Sequence, residues 1–156
     1  MKTHYYKMKY VDKCITFSEI PDEITLCLDI SNCPFKCDGC HSPYLREDIG
    51  TPMSFGDLIN MIKENEGITC VCIMGGDRNP VLTSCYGDIA KNCGVKSAWY
   101  SGADTLPKDV NLISWDFIKL GHYDKDKGGL DKRTTNQRLY KIEDGKMIDI
   151  TYKFWK

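Results

Sequence analysis

Three features of the chain predict an α/β fold built from parallel βαβ units. Four β-prone runs, 23–30, 68–74, 95–100 and 115–120, alternate with helical patterns. Each run ends in a short segment rich in glycine or cysteine, and in parallel α/β folds ligands gather at the carboxyl ends of strands. The third feature is size: 156 residues fit one domain, 1–156, and supply only part of the ~250 residues of a closed eight-unit barrel.

The elements follow in order. Alternating apolar and polar residues predict an N-terminal strand over about 8–18, broken at Pro21 and Asp22. The run 23–30 reads as the first buried strand and delivers the chain into a cysteine loop at 31–44. Ser54 opens a helix with a partial capping box to Asp57, and Phe55, Leu58, Ile59 and Ile62 fall on one face. The run 68–74 closes in Gly75-Gly76 and reads as a strand buried on both faces. A weaker helix is expected over 81–92, then strands at 95–100, ending in Ser101-Gly102, and at 115–120, ending at Gly121. After a polar loop at 128–136, the segments 138–142 and 146–154 read as a hairpin around Asp144-Gly145.

Composition excludes several classes. With 21 basic and 22 acidic residues and a net charge of −1, the chain lacks an electrostatic footprint for nucleic acid, so no nucleic-acid partner is expected. No apolar stretch approaches the ~18 residues of a membrane span, so no membrane partner is expected, and the polar opening 1–7 does not read as a signal peptide. A cytoplasmic location is therefore expected. Nine cysteines form no regular disulfide framework, which in a reducing compartment favours metal binding plus buried thiols. Cys14, Cys70, Cys72, Cys85 and Cys93 read as packing residues.

Cys33, Cys37 and Cys40 stand apart, because C-x3-C-x2-C places three thiols in eight residues. Three local thiolates on an iron–sulfur cube leave one iron open to bind a small molecule. Structural zinc would need a fourth ligand, and the nearest thiol, Cys27, lies in an apolar run. Cys37-Asp-Gly-Cys40-His41 also matches the C-x-x-C-H pattern of covalent haem attachment, but that reading leaves Cys33 unexplained and normally requires export.

With the cysteine loop after one strand and Gly75-Gly76-Asp77 after the next, the sequence resembles the radical S-adenosylmethionine (radical SAM) enzymes. Small size, the Cys-x3-Cys-x-Gly-Cys-His loop, Trp99-Tyr-Ser-Gly102, Gly121-His-Tyr123 and Thr134-Thr-Asn-Gln-Arg138 narrow the resemblance. They look like the activating proteins of anaerobic (class III) ribonucleoside-triphosphate reductases, over about residues 25–138. The resemblance implies an incomplete, TIM-like barrel of parallel strands and helices, of radical SAM type. It implies an oxidoreductase that holds a [4Fe-4S] cluster through Cys33, Cys37 and Cys40 and S-adenosyl-L-methionine at the fourth iron.

Reductive cleavage of that cofactor would generate a glycyl radical on the reductase, with a flavodoxin or ferredoxin as electron donor. Gly75, Gly76 and Asp77 are expected at the methionyl end of the cofactor, where glycine lets it approach and a carboxylate accepts from its ammonium. Gly39 stands where the family often has an aromatic residue, and His41 either contacts the cofactor or caps the following segment. Ser101 and the adjoining Tyr100 are expected at the same rim, while Trp99, Trp115 and Trp155 read as core. Activation of another glycyl-radical enzyme, of the formate lyase type, is the nearest alternative. A zinc-binding interaction module and a haem electron-transfer protein are the alternatives from other classes.

Overall fold

Why the central strands pair in parallel follows from their connections. In the computed structural model, which describes residues 7–155, two α-helices carry the chain from one central strand to the next. Strand β2 (Thr25–Ile30) is followed by β3 (Thr51–Pro52) and α1 (Phe55–Glu64), then β4 (Cys70–Met74), α2 (Pro80–Asn92) and β5 (Lys96–Tyr100). Strand β6 (Phe117–Leu120) completes a parallel set in which β2, β4, β5 and β6 are successive neighbours.

The margins are antiparallel. Strand β1 (Lys9–Thr16) pairs with β2 and β3 on one side, and on the other β6 pairs with β7 (Arg138–Glu143), which pairs with β8 (Lys146–Asp149). The eight strands form one mixed sheet in the order β3-β1-β2-β4-β5-β6-β7-β8.

This architecture corrects the expected radical SAM barrel. A TIM-like barrel, even an incomplete one, sets a helix after each strand; among the described residues two α-helices accompany eight strands. The β5–β6 crossover holds only a one-turn 3-10 helix, Leu112–Ser114, because Gly102, Pro107 and the charged Lys108-Asp109 interrupt any apolar helical period. After β6 the chain returns antiparallel through a polar loop, so no further parallel unit forms. The parallel pairing expected of the four β-prone runs holds, and α1 forms with the full reciprocal capping box between Ser54 and Asp57.

Period-two alternation gives the sheet two unlike faces. Leu26, Leu28, Ile30, Val71, Ile73, Trp99, Ile118 and Leu120 point to the face covered by both helices, where they meet Leu58, Met61, Tyr86 and Ala90. Trp99 stacks on Trp115 with ring centroids 5.7 Å apart. The opposite face carries Cys27, Cys70, Cys72, Ala98 and Phe117 and is covered by Ile20, Leu130, Ile150 and Phe154, none of them from an α-helix. Cys14, expected to be a packing residue, is exposed on the outlying β1. Among the described residues, no helix is long and apolar enough to cross a membrane.

Candidate functional site

Strand β2 ends at Ile30 and releases the chain at the carboxyl end of the parallel set. The cysteine loop that follows is fixed by its backbone: Asn32 N–H donates to Glu47 O (3.0 Å) and Cys33 N–H to Leu45 O (2.8 Å). Cys40 N–H donates to Cys37 O (3.2 Å), closing a turn whose third residue is Gly39 at φ +75°. Such a turn demands positive φ at that position, so glycine there serves the C-x2-C geometry directly. A Cβ on Gly39 would also lie 3.1 Å from Lys125 Cβ. Arg46 Nη2 donates to Cys37 O (3.0 Å), and Ser42 N–H donates to Cys40 Sγ (3.4 Å).

The loop docks on the ends of the neighbouring strands. Phe35 lies over Gly102, where an added Cβ would stand 2.7 Å from the ring, so Ser101-Gly102 provides the landing for the cysteine loop. Asp77 follows β4 and is anchored to the same landing: Ser101 Oγ donates to Oδ1, and Gly102 N–H donates to Oδ2 (3.2 Å). Burial raises the Asp77 carboxyl above the usual range, opposed by these two hydrogen bonds. Ser101 is fully buried and acts on the site through Asp77.

Cys33, Cys37 and Cys40 share a cavity of about 250 Å³ with Gly75, Asp77 and Lys119. Ile30, Phe35, Leu45 and Met74 give it apolar walls, and Tyr100, Tyr123 and Gln137 border it. Lys119 is the feature sequence reasoning missed. Its Nζ is buried and donates to Ser101 O and Gly121 O, both at 2.9 Å. Burial pulls its pKa down to about 8, against the nearby charges of Asp77 and Cys37. The signal was present: a lone lysine interrupts an otherwise apolar strand, where an ionisable group is rarely buried without a task. Arg46 and Asp29 also reach the cavity and were not anticipated, and the buried Arg46 Nε has no hydrogen-bond partner.

The remaining expectations divide. Gly75 lines the cavity, whereas Gly76 does not; at φ +86° its missing Cβ leaves room for Thr83, whose hydroxyl donates to Gly76 O (2.8 Å). His41 lies outside the cavity with its ring 4.9 Å from that of Tyr123. Tyr100 donates its hydroxyl to Glu19 O. Asn136 anchors a loop through His122 O (3.1 Å). A larger groove, about 750 Å³, lies at the opposite end of the strands around Lys91, Asn111, Asp116 and Asp144, and no cysteine lines it.

The donor set fits an iron–sulfur cube. A cube takes one thiolate per iron, and three thiols border this one cavity, one for each of three irons. The unpartnered Arg46 Nε and the Ser42 N–H on Cys40 Sγ supply positive potential toward an anionic, sulfur-ligated group. Comparison with known proteins gives no match to any family model, curated protein or solved structure.

Proposed function

We propose that the chain is a radical SAM activating enzyme that holds a [4Fe-4S] cluster through Cys33, Cys37 and Cys40 and places a glycyl radical on an anaerobic ribonucleoside-triphosphate reductase. The observation that carries this reading is the meeting of all three loop cysteines with Asp77 and Gly75 on one cavity. When bound, the reduced cluster and S-adenosylmethionine supply one-electron bond cleavage and the hydrogen-atom abstraction that follows. The reading rests on the motif and this convergence, independently of the barrel that the mixed sheet replaces.

The protein's own residues then have definite tasks. Each Asp77 oxygen uses one acceptor site on Ser101 or Gly102 and keeps another for a ligand ammonium. Gly75 has no side chain at the wall, where the backbone admits close approach. Lys119, held by two carbonyls, keeps a third donor for an anionic group such as a carboxylate. Ile30, Phe35, Leu45 and Met74 exclude water around these groups.

Anaerobic reconstitution with iron and sulfide tests the first half of the reading. Single alanine variants of Cys33, Cys37 or Cys40 lose labile sulfide, whereas Cys85→Ala and Cys93→Ala keep it. Stoichiometric zinc without labile sulfide would sink the cluster and favour an interaction module. The second half is tested by mixing reduced protein, S-adenosylmethionine, a flavodoxin or ferredoxin donor and the candidate reductase. A glycyl signal in electron paramagnetic resonance that changes on glycine deuteration is expected. Its absence, with 5′-deoxyadenosine still released, overturns the partner and leaves the chemistry standing.

A further inference from the structure

Away from the candidate site, three thiols form a row across adjacent strands. Cys14 of β1 stands opposite Cys27 of β2, which stands opposite Cys72 of β4. Directly opposed residues project to the same side of a sheet, so the row runs across one face from solvent inward: Cys14 is exposed, while Cys27 and Cys72 are buried. Cys27 is flanked by Cys72, its register partner on β4, and by the Thr16 hydroxyl 3.9 Å from its sulfur.

We propose that Cys14 and Cys27 form a thiol-disulfide exchange site that accepts a small cationic disulfide and closes into a cross-strand Cys14–Cys27 bond. The spacing permits it. Opposed Cα atoms of antiparallel strands lie about 4.5 or about 5.5 Å apart, both inside the roughly 4.4–6.8 Å that a disulfide spans. Exposure sets the order of events. Cys14 loses its proton and its thiolate attacks one sulfur of the incoming disulfide, expelling one thiolate; Cys27 thiolate then attacks the Cys14 sulfur and expels the second. Two protein thiols are oxidised by two electrons, the small disulfide is reduced to two thiols, and the two protons end on those thiols.

The surroundings support the division of labour. Thiol and hydroxyl donors lower the Cys27 pKa, and it is the thiolate that must attack second. Cys72 is fully buried with its pKa raised well above the ordinary thiol value, so it stays protonated as a donor. The opposed pair Asp12 and Asp29 stands two residues along from the opposed pair Cys14 and Cys27, on the same side of the sheet; burial, then the negative charges of Cys27, Asp29, Glu19 and Asp12, raise the Cys14 pKa. That pair of carboxyls selects the sign of the partner: a dication is drawn in and an anion repelled. The bond would join β1 to β2 six residues before Cys33, on the strand that leads to the cysteine loop.

Anaerobic full-length protein is treated with cystamine, a dication, or oxidised glutathione, an anion, then alkylated and cleaved before aspartate. Cleavage before Asp12, Asp22 and Asp29 leaves Cys14 alone on 12–21 and Cys27 alone on 22–28. Mass spectrometry is expected to find these two peptides joined with the loss of two hydrogens, about tenfold faster with cystamine than with oxidised glutathione. Cys14→Ser abolishes the joined pair, and Cys27→Ala stops Cys14 at a cysteamine adduct. A Cys14 that is still alkylated after prolonged cystamine treatment would overturn the site, as would Cys27 joined to the Cys70–Cys72 peptide instead. Equal rates with the two reagents would overturn the cationic partner.

Discussion

The two faces of the sheet are made from the same strands and do opposite work. One is lined by large apolar side chains, from Leu26 to Trp99 and Leu120, and sealed by α1 and α2. The other carries Cys27, Cys70, Cys72 and Ala98, then Asp29, Met74, Tyr100 and Lys119 where the strands run out into the candidate cavity. Large residues under helices maximise burial and close packing. Small and polar residues under irregular cover sacrifice some of that and leave ionisable groups where a ligand reaches them. Stability is thus expected to depend chiefly on the helix face, while alkaline pH dependence and ligand recognition are expected to depend on the other.

The largest test of that division is Trp99→Ala. It empties the space stacked on Trp115 and removes the indole N–H that donates to Gly75 O at 2.7 Å, so about 3–5 kcal/mol is expected to be lost in urea denaturation. Cys72→Ala on the opposite face removes one heavy atom and is expected to cost only about 1 kcal/mol. Comparable losses for the two variants would break the comparison.

Titration separates the faces next. Lys119 has a folded pKa of about 8, below the ordinary 10.5, so its share of stability is fully present above pH 10.5 and is lost as pH falls through about 8. The span corresponds to about 3 kcal/mol. Cys70 and Cys72 act in the contrary sense: burial raises their pKa values above 9.0, so stability is lost as pH rises past the unfolded thiol value. Subtracting Lys119→Met from the wild-type urea stability at pH 7.5 and pH 10 isolates the lysine, and wild type is expected to gain relative to the variant over that interval. A flat difference would remove Lys119 from the titrating set.

What was legible in the sequence follows the range of the interactions involved. The runs that became β2, β4, β5 and β6 were readable because β-propensity and alternation are local, and the Ser54–Asp57 box was readable because it spans three residues. The three loop cysteines and Asp77 were readable from spacing, and they line one cavity. The barrel was misread because strand alternation says nothing of partner direction: whether β7 returns antiparallel to β6 is decided by a loop with no helical period. Lys119 and Arg46 were missed because the contacts that bury them, to Ser101, Gly121 and Cys37, come from distant or irregular segments. The exposure of Cys14 was missed for a related reason, since β1 lies toward the sheet margin and its cover is tertiary.

Asp77 tests the ligand side of the comparison at intermediate size. Asp77→Ala removes the acceptor while leaving the three cysteines in place, and it is expected to weaken S-adenosylmethionine binding to the reconstituted protein by about 1.5–3 kcal/mol in equilibrium dialysis. Ser101→Ala, which frees one Asp77 oxygen and also removes the acceptor of Ala103 N–H (3.0 Å), is expected to show a smaller loss in the same direction, because Gly102 N–H still holds the other oxygen. Unchanged affinity in Asp77→Ala would take the carboxylate out of the site.

The smallest effect is the most discriminating, because it should move one face and not the other. Ser54 Oγ accepts from Asp57 N–H at 3.0 Å, and Asp57 Oδ2 accepts from Ser54 N–H at 2.8 Å, so the start of α1 is closed by two reciprocal hydrogen bonds. Ser54→Ala leaves the first of these donors without its partner and is expected to cost about 1 kcal/mol in urea denaturation. No group that titrates between pH 7 and 10 takes part in the box, so the loss should be constant across that range, unlike the effect at Lys119. Helix α1 contributes no residue to the wall of the candidate cavity, so affinity for S-adenosylmethionine should equal that of wild type. A Ser54→Ala protein that lost stability and affinity together would mean that the helix face sets the geometry of the site through the sheet. The two faces would then have to be treated as one coupled unit.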